Sequence, residues 1–272
     1  MKKKTKKILL SLSALTVLLF LTGCSKAGLT SDTPGIWNQI VYHFALVIRW
    51  LGFGGSIAVG IILFTLLLRL LMFPLMNIQI KSMQKQQELQ PQIKAIQAKY
   101  PGKDMDSRQM VQQETQKLYS DNGVNMYMGC LPMLVQMPFL YALYQALLNV
   151  NFLHQGNFLW FDIGAKDPTL ILPILAALFT FASSWLNLKA APERTGMLYG
   201  TTIGMPIFIF FAAWQLSAGI SLYWVISNAF QVVQTLIIAN PWKIIAKREA
   251  KVQAVVDKEK ARARALKKAT KK

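Results

Sequence analysis

The sequence is short of the residues from which active centres are usually built. It holds two cysteines and two histidines in 272 residues, which excludes a disulfide framework and any Cys/His metal spacing. His43 and His154 both lie outside the long apolar runs, so no hydroxyl at membrane depth has a base beside it. The serine of Ser217-Ala218-Gly219 sits in a turn without a partner, and an intramembrane protease is excluded on that ground. Acids are scarce as well: 12 Asp and Glu stand against 30 Lys and Arg, for a formal net charge of +18. None of those acids falls in the apolar runs described below, so an ion-coupled transporter lacks its carboxylate, and no internal repeat is visible. With 53% hydrophobic and 15% charged residues, the chain reads as a polytopic membrane protein and not as a soluble nucleic-acid binder.

Apolar length is what the chain has in abundance. Five lysines within residues 2–7 precede an apolar stretch, residues 8–21, that is short for a span and ends in Leu21-Thr22-Gly23-Cys24. Basic flank, short apolar core and terminal cysteine read as a signal peptide over residues 1–23. The last four residues resemble the bacterial lipobox, L-x-G-C. That resemblance implies cleavage before Cys24 and a thioether-linked diacylglycerol with palmitate-type chains; an uncleaved anchor helix is the alternative. Cys130 opens a later apolar segment and reads as a small buried hydrophobe. Within residues 24–56, a polar linker leads to residues 36–51, where Trp37, Tyr42 and Trp50 accompany Asn38, Gln39, His43 and Arg49. That mixture predicts an amphipathic helix lying in the membrane plane, broken by the Gly52-Phe53-Gly54-Gly55 turn.

An all-α fold with five transmembrane helices follows from the remaining runs: residues 57–76, 126–150, 170–188, 197–216 and 220–239. Between the first two, residues 77–125 carry seven Lys and Arg, and the basic tail, residues 240–272, carries twelve against three acids. The opposite loops carry Lys26, Arg49 and Lys166. The positive-inside rule puts the first loop and the C-terminus in the cytoplasm and the mature N-terminus outside. The lipobox calls for the same orientation.

The first loop reads as a cytoplasmic helical hairpin, with arms over residues 78–100 and 107–122 and a turn at Pro101-Gly102. Its apolar stripes are narrow, Ile93, Ile96 and Tyr100 on one arm and Met110 and Leu118 on the other, which predicts weak docking. Methionines gather at the entrance: Met72, Met76 and Met83 on one side, Met126, Met128, Met133 and Met137 on the other. Thioethers adapt to varied apolar surfaces, though methionine is also ordinary packing filler.

One charge stands inside the first span. Arg69 lies in TLLLRLLMFPL, where an insertion scale assigns a cost of about 2.5–3.5 kcal/mol. No acid exists at that depth to pair with it, and the side chain leans toward the helix N-terminus, away from the nearer surface. The remaining solution is a water-filled pocket lined by neutral polar groups. Span two offers Gln136 and Gln145; span three offers Ser183, Ser184 and Asn187. In span five Trp224, Asn228, Gln231 and Thr235 recur at spacings of four, three and four, on one helical face. Interhelical packing glue is the structural alternative for each polar residue taken singly. Taken together, an unpaired cation in a hydrated cleft attracts acidic parts of an entering polypeptide, whose apolar part then partitions into lipid at roughly 25 cal/mol per Å².

These residues resemble the YidC family of membrane protein insertases in its Gram-positive lipoprotein form. The similarity covers nearly all of the mature chain. It rests on Cys24, Arg69 followed by Pro74-Leu75, Gln136-Met-Pro-Phe before Ala142-Leu143-Tyr144, Leu222-Tyr223-Trp224 before Asn228, and the basic tail. The resemblance implies a non-enzymatic insertase and chaperone without a cofactor, its groove open to cytoplasm and lipid and closed outside. Arg69, Gln136 and Trp224 correspond to groove residues, with Asn228, Gln231, Ser184 and Asn187 around them. Implied partners are nascent membrane proteins, the lipid bilayer and the Sec translocon, with the ribosome or anionic lipid at the tail. A lipid-handling or membrane scaffold protein is the alternative.

Overall fold

The structure is a computed structural model and describes residues 28–102, 104–125, 128 and 131–269. The signal peptide, Cys24, Met126 and Cys130 lie outside the described residues. Ten α-helices account for most of the described residues: α1 (Ile36–Leu51), α2 (Ile57–Leu71), α3 (Phe73–Glu88), α4 (Gln90–Lys99), α5 (Met105–Asp121), α6 (Leu131–Asn149), α7 (Ile171–Ala190), α8 (Gly196–Gln215), α9 (Ala218–Ile238) and α10 (Pro241–Ala269). The one sheet among them is a minimal antiparallel hairpin, β1 (Asn157–Phe158) and β2 (Phe161–Asp162), between α6 and α7. The chain is all-α with several apolar helices, as the sequence predicts. Three segments are long and apolar enough to cross a membrane: α7, α8 and the run that begins with α9. The bent pair α2 and α3 makes a fourth if it is a single span.

Local chemistry sets the boundaries. α1 ends where the expected glycine turn begins, with Phe53 at φ 54° and Gly54 at φ 69°. Ser56, Asp104 and Thr195 cap α2, α5 and α8 by accepting from the backbone N–H of Val59, Ser107 and Leu198. Leu216 and Ser217 alone separate α8 from α9, so the two run antiparallel, and α7 packs against both.

The first expected span departs from one straight helix. It stops at Leu71 and resumes at Phe73 after a 61° bend. Pro74 explains the break: it has no N–H to continue the ladder and disfavours helical geometry in the residue before it, yet fits the first turn of a new helix. The span expected to end at Met76 is therefore two helices meeting at Met72. The first arm of the expected hairpin likewise divides, at Leu89, into α3 and α4.

At one end of the bundle the interior is solid. Val41, Ala45 and Ile48 of α1 are fully buried against α2 and α6. Gly60 of α2 makes that approach possible, since a Cβ there would lie 2.1 Å from the Ile48 carbonyl oxygen. Trp37 stacks on Tyr141 at 5.4 Å, tying α1 to α6. Ile61, Leu143, Leu147, Val150, Ile163 and Ile220 continue this core. At the opposite end, Glu114 of α5 accepts from Lys99 Nζ at 2.7 Å and from the Tyr100 hydroxyl at 2.5 Å, closing the α4–α5 hairpin. Lys94 pairs with Glu193 in the α7–α8 turn. α10 is moored there too: Lys189 Nζ lies 5.0 and 4.5 Å from the rings of Trp185 and Trp242, and Arg248 donates to the Ala190 carbonyl at 2.7 Å.

Candidate functional site

Beyond the solid end, the helices part around a cavity of about 280 Å³, in which one cation, amides and hydroxyls stand among apolar side chains. Arg69 lines it, half-buried, on the last turn of α2. Its Nε donates to Ser227 Oγ at 3.0 Å, Nη2 donates to the same oxygen, and Nη1 reaches Gln231 Oε1 at 3.4 Å. Both partners are neutral and both stand on α9, one turn apart. A guanidinium has five N–H donors, so these contacts leave donor capacity facing the cavity. Among the described residues no carboxylate pairs with it.

The other walls assemble as follows. Gln136 of α6 donates to the Tyr223 hydroxyl of α9. Asn228 Nδ2 donates to Thr180 Oγ1 at 2.8 Å, bracing α9 against α7. Trp224 closes one side and also lines a neighbouring, wholly apolar cavity with Met137, Tyr141 and Tyr144. Six of the seven residues expected at the groove therefore share one cavity: Arg69, Gln136, Trp224, Asn228, Gln231 and Asn187. Ser184 does not; it is half-buried on α7 outside the lining. Thr180, one turn earlier, takes that place, because its hydroxyl is the group that meets Asn228.

The sequence reading placed Met76 and Met83 at the entrance but missed the glutamines of the same wall. α3, expected to belong to a hairpin projecting from the membrane, bends by 61° from α2 and lines the cavity. There it contributes Met76, Gln79, Ile80, Met83, Gln84 and Gln87. Those positions advance in alternating steps of three and one, so that i, i+3, i+4, i+7, i+8 and i+11 share a single face of a helix. That periodicity was available in the sequence; the direction of the bend was not.

Asp167 is a second omission. It is 5% exposed, in the loop between β2 and α7. Its carboxylate accepts from the N–H of Leu172 at 2.7 Å, from the N–H and hydroxyl of Thr169 at 3.0 and 2.8 Å, and from the indole of Trp160 at 3.1 Å. Burial pushes its pKa up, but these donors outweigh burial and hold the carboxyl below its ordinary value. Asp167 thus caps α7 and pins the β-hairpin over the solid end.

Chemically the site offers one cation and an array of amides and hydroxyls, with no nucleophile–base pair placed by these contacts. The family model of the 60Kd inner membrane protein matches residues 50–247. The membrane protein insertase YidC 1 of Lactococcus lactis subsp. lactis (strain IL1403) is 62% identical over 272 residues, all of both chains. The membrane protein insertase YidC of Enterococcus faecalis (strain ATCC 700802 / V583) is 48% identical over 98% of this chain and 96% of its own. Among solved structures, an active YidC insertase with its first transmembrane domain resolved superposes with a TM-score of 0.59 at 28% identity, over 74% of this chain. The match spans 47% of that longer chain. The chain belongs to the YidC family of membrane protein insertases.

Proposed function

We propose that the cavity is a hydrated client groove in which Arg69 receives negative charge on the segment of a polypeptide to be moved across the membrane. The apolar segment of the same client then leaves sideways into lipid. One observation carries this reading: a permanent cation within the helix bundle has only neutral partners, Ser227 and Gln231, among the described residues. Burying an unneutralised guanidinium is costly, and water with an arriving carboxylate relieves that cost. The solid packing around Ile61, Leu143 and Val150 supports closure toward the other side.

In this reading α2 with the start of α3, then α6, α7, α8 and α9, make five spans. The basic loop and α10 face the cytoplasm, while α1 and the β-hairpin lie outside. A lipid on Cys24 fits this arrangement, since the described chain starts close by at Gly28, whose N–H donates to Asn149 at the same end as α1. The Lys- and Arg-rich α10 would meet ribosomal RNA or anionic lipid electrostatically, and the exposed apolar faces would meet the Sec translocon for clients that need both. Reconstituted vesicles test the groove. Arg69→Ala should slow insertion of a single-span client with an acidic external segment about tenfold or more, as expected for loss of a charge-assisted contact of about 1.5–3 kcal/mol. Arg69→Lys should retain most of the rate. Normal insertion by Arg69→Ala would remove the receptor role.

A further inference from the structure

The part of the cavity beyond Arg69 is walled by carboxamides. α3 supplies Gln79, Gln84 and Gln87, and α9 supplies Gln231 and Gln234. They differ in what they already bind. Gln79 Nε2 donates to the Met128 carbonyl at 3.2 Å, and Gln231 Oε1 accepts from Arg69. Gln84 Nε2 and Gln234 Nε2 are buried and have no hydrogen-bond partner among the described residues; Gln234 is 2% exposed. Folded proteins leave few buried donors unpaired. Two of them lining one cavity, one on α3 and one on α9, call for an acceptor that arrives from outside.

We infer that Gln84 and Gln234 form a subsite for the main chain of an entering polypeptide, their Nε2 groups donating to client backbone carbonyls and their Oε1 atoms accepting from client backbone N–H groups. The inference rests on the proposed client groove and names what the groove's amide wall recognises. Every client has the same main chain whatever its side chains, and main-chain groups entering a low-dielectric site must stay hydrogen-bonded. A carboxamide carries both donor and acceptor, so it pairs with either main-chain group in either chain direction. Being neutral, it imposes no preference for client charge. Beside these amides on α3 stand Met76, Ile80 and Met83, apolar and largely unbranched at the tip, suited to side chains of any shape. The wall thus separates what clients share from what varies among them. A lipid phosphate fits less well, because Gln84 and Gln234 offer it no positive charge.

The test uses the full-length protein in vesicles with Gln84→Met and Gln234→Met together, since methionine keeps the length of glutamine and removes its hydrogen bonding. The clients are synthetic single-span peptides whose polar segment carries either ordinary amides or one backbone ester, which lacks the N–H and accepts weakly. The wild type should insert the ester client about fivefold more slowly, the rate equivalent of one typical net hydrogen bond. The double variant should slow the amide client by a similar factor, and the ester should then add nothing. Additive slowing, or no slowing by the double variant, overturns the inference. So does loss of crosslinking to a photoactivatable phospholipid with crosslinking to the peptide unchanged. Should the double variant fail to fold, Gln84→Met alone, at the half-buried α3 position, carries the same comparison. Arg69→Ala in parallel separates the two readings. If it slows an acidic client while the glutamine variants do not, only the amide subsite falls; if neither slows insertion, the groove falls with it.

Discussion

Arg69 was legible as a candidate groove residue because its cost is so high at that position and because no acid anywhere in the expected spans could neutralise it. The α9 face of Trp224, Asn228 and Gln231 was legible for the same kind of reason, polar groups at helical spacing in an apolar run. The α7 partner was not. Ser184, Asn187 and Thr180 all sit on one helix, and which of them meets α9 depends on the crossing of the two helices, which spacing does not encode. Asp167 was invisible because a single aspartate in a loop resembles any surface acid until its four donors are seen. Its depressed pKa fixes a sign: the stability it contributes is complete above the ordinary aspartate value of 3.8 and disappears as pH falls below that value. Thermal melting in detergent should therefore show an acid limb that Asp167→Asn flattens. Gly60→Ala should cost about 1–2 kcal/mol, overpacking against Ile48 exceeding the gain in helix propensity. A melting temperature unchanged by that substitution would mean that α1 is free to move away from α2.

Among the elements, α1 matched its expected bounds because an amphipathic stripe and a glycine-rich stop coincide there. The first span did not. Apart from Arg69, hydropathy runs unbroken from Ile57 to Met76, and only Pro74 marks the bend that brings α3 to the cavity. Replacing Pro74 with alanine restores an N–H and removes a penalty of about 3 kcal/mol against a continuous helix. Spin labels at the exposed positions 67 and 85 should then report a longer, straighter separation, and insertion should slow as the amide wall leaves the cavity. An unchanged distance would assign the bend to packing in place of proline. The Lys94–Glu193 contact is a different case: Lys94 is 53% exposed, and such pairs are worth about 0–1 kcal/mol. Lys94→Ala should leave the melting temperature within error, since the hairpin's position depends on the buried Leu89 and Ile93.

At the scale of the whole molecule, the bundle is asymmetric along its length, and the proposed function rests on that asymmetry. One end is closed by α1, the β-hairpin and the fully buried core. The other opens into the cavity that holds Arg69, bounded by α3, with the basic segments beside it. Charge bias made the two ends distinguishable in the sequence, but the closure of one end arises from contacts between residues far apart in the chain. The most direct test is labelling of single cysteines, in a Cys130→Ala background that keeps Cys24, by a membrane-impermeant thiol reagent. Cysteines replacing Gln231 or Thr180 should react when the reagent is on the cytoplasmic side, stay unreactive from the outside, and become protected when a stalled client is bound. Cysteines replacing Leu147 or Val150 should react from neither side. Unreactive cysteines at positions 231 and 180, or reaction from the outer face, would contradict a hydrated groove centred on Arg69.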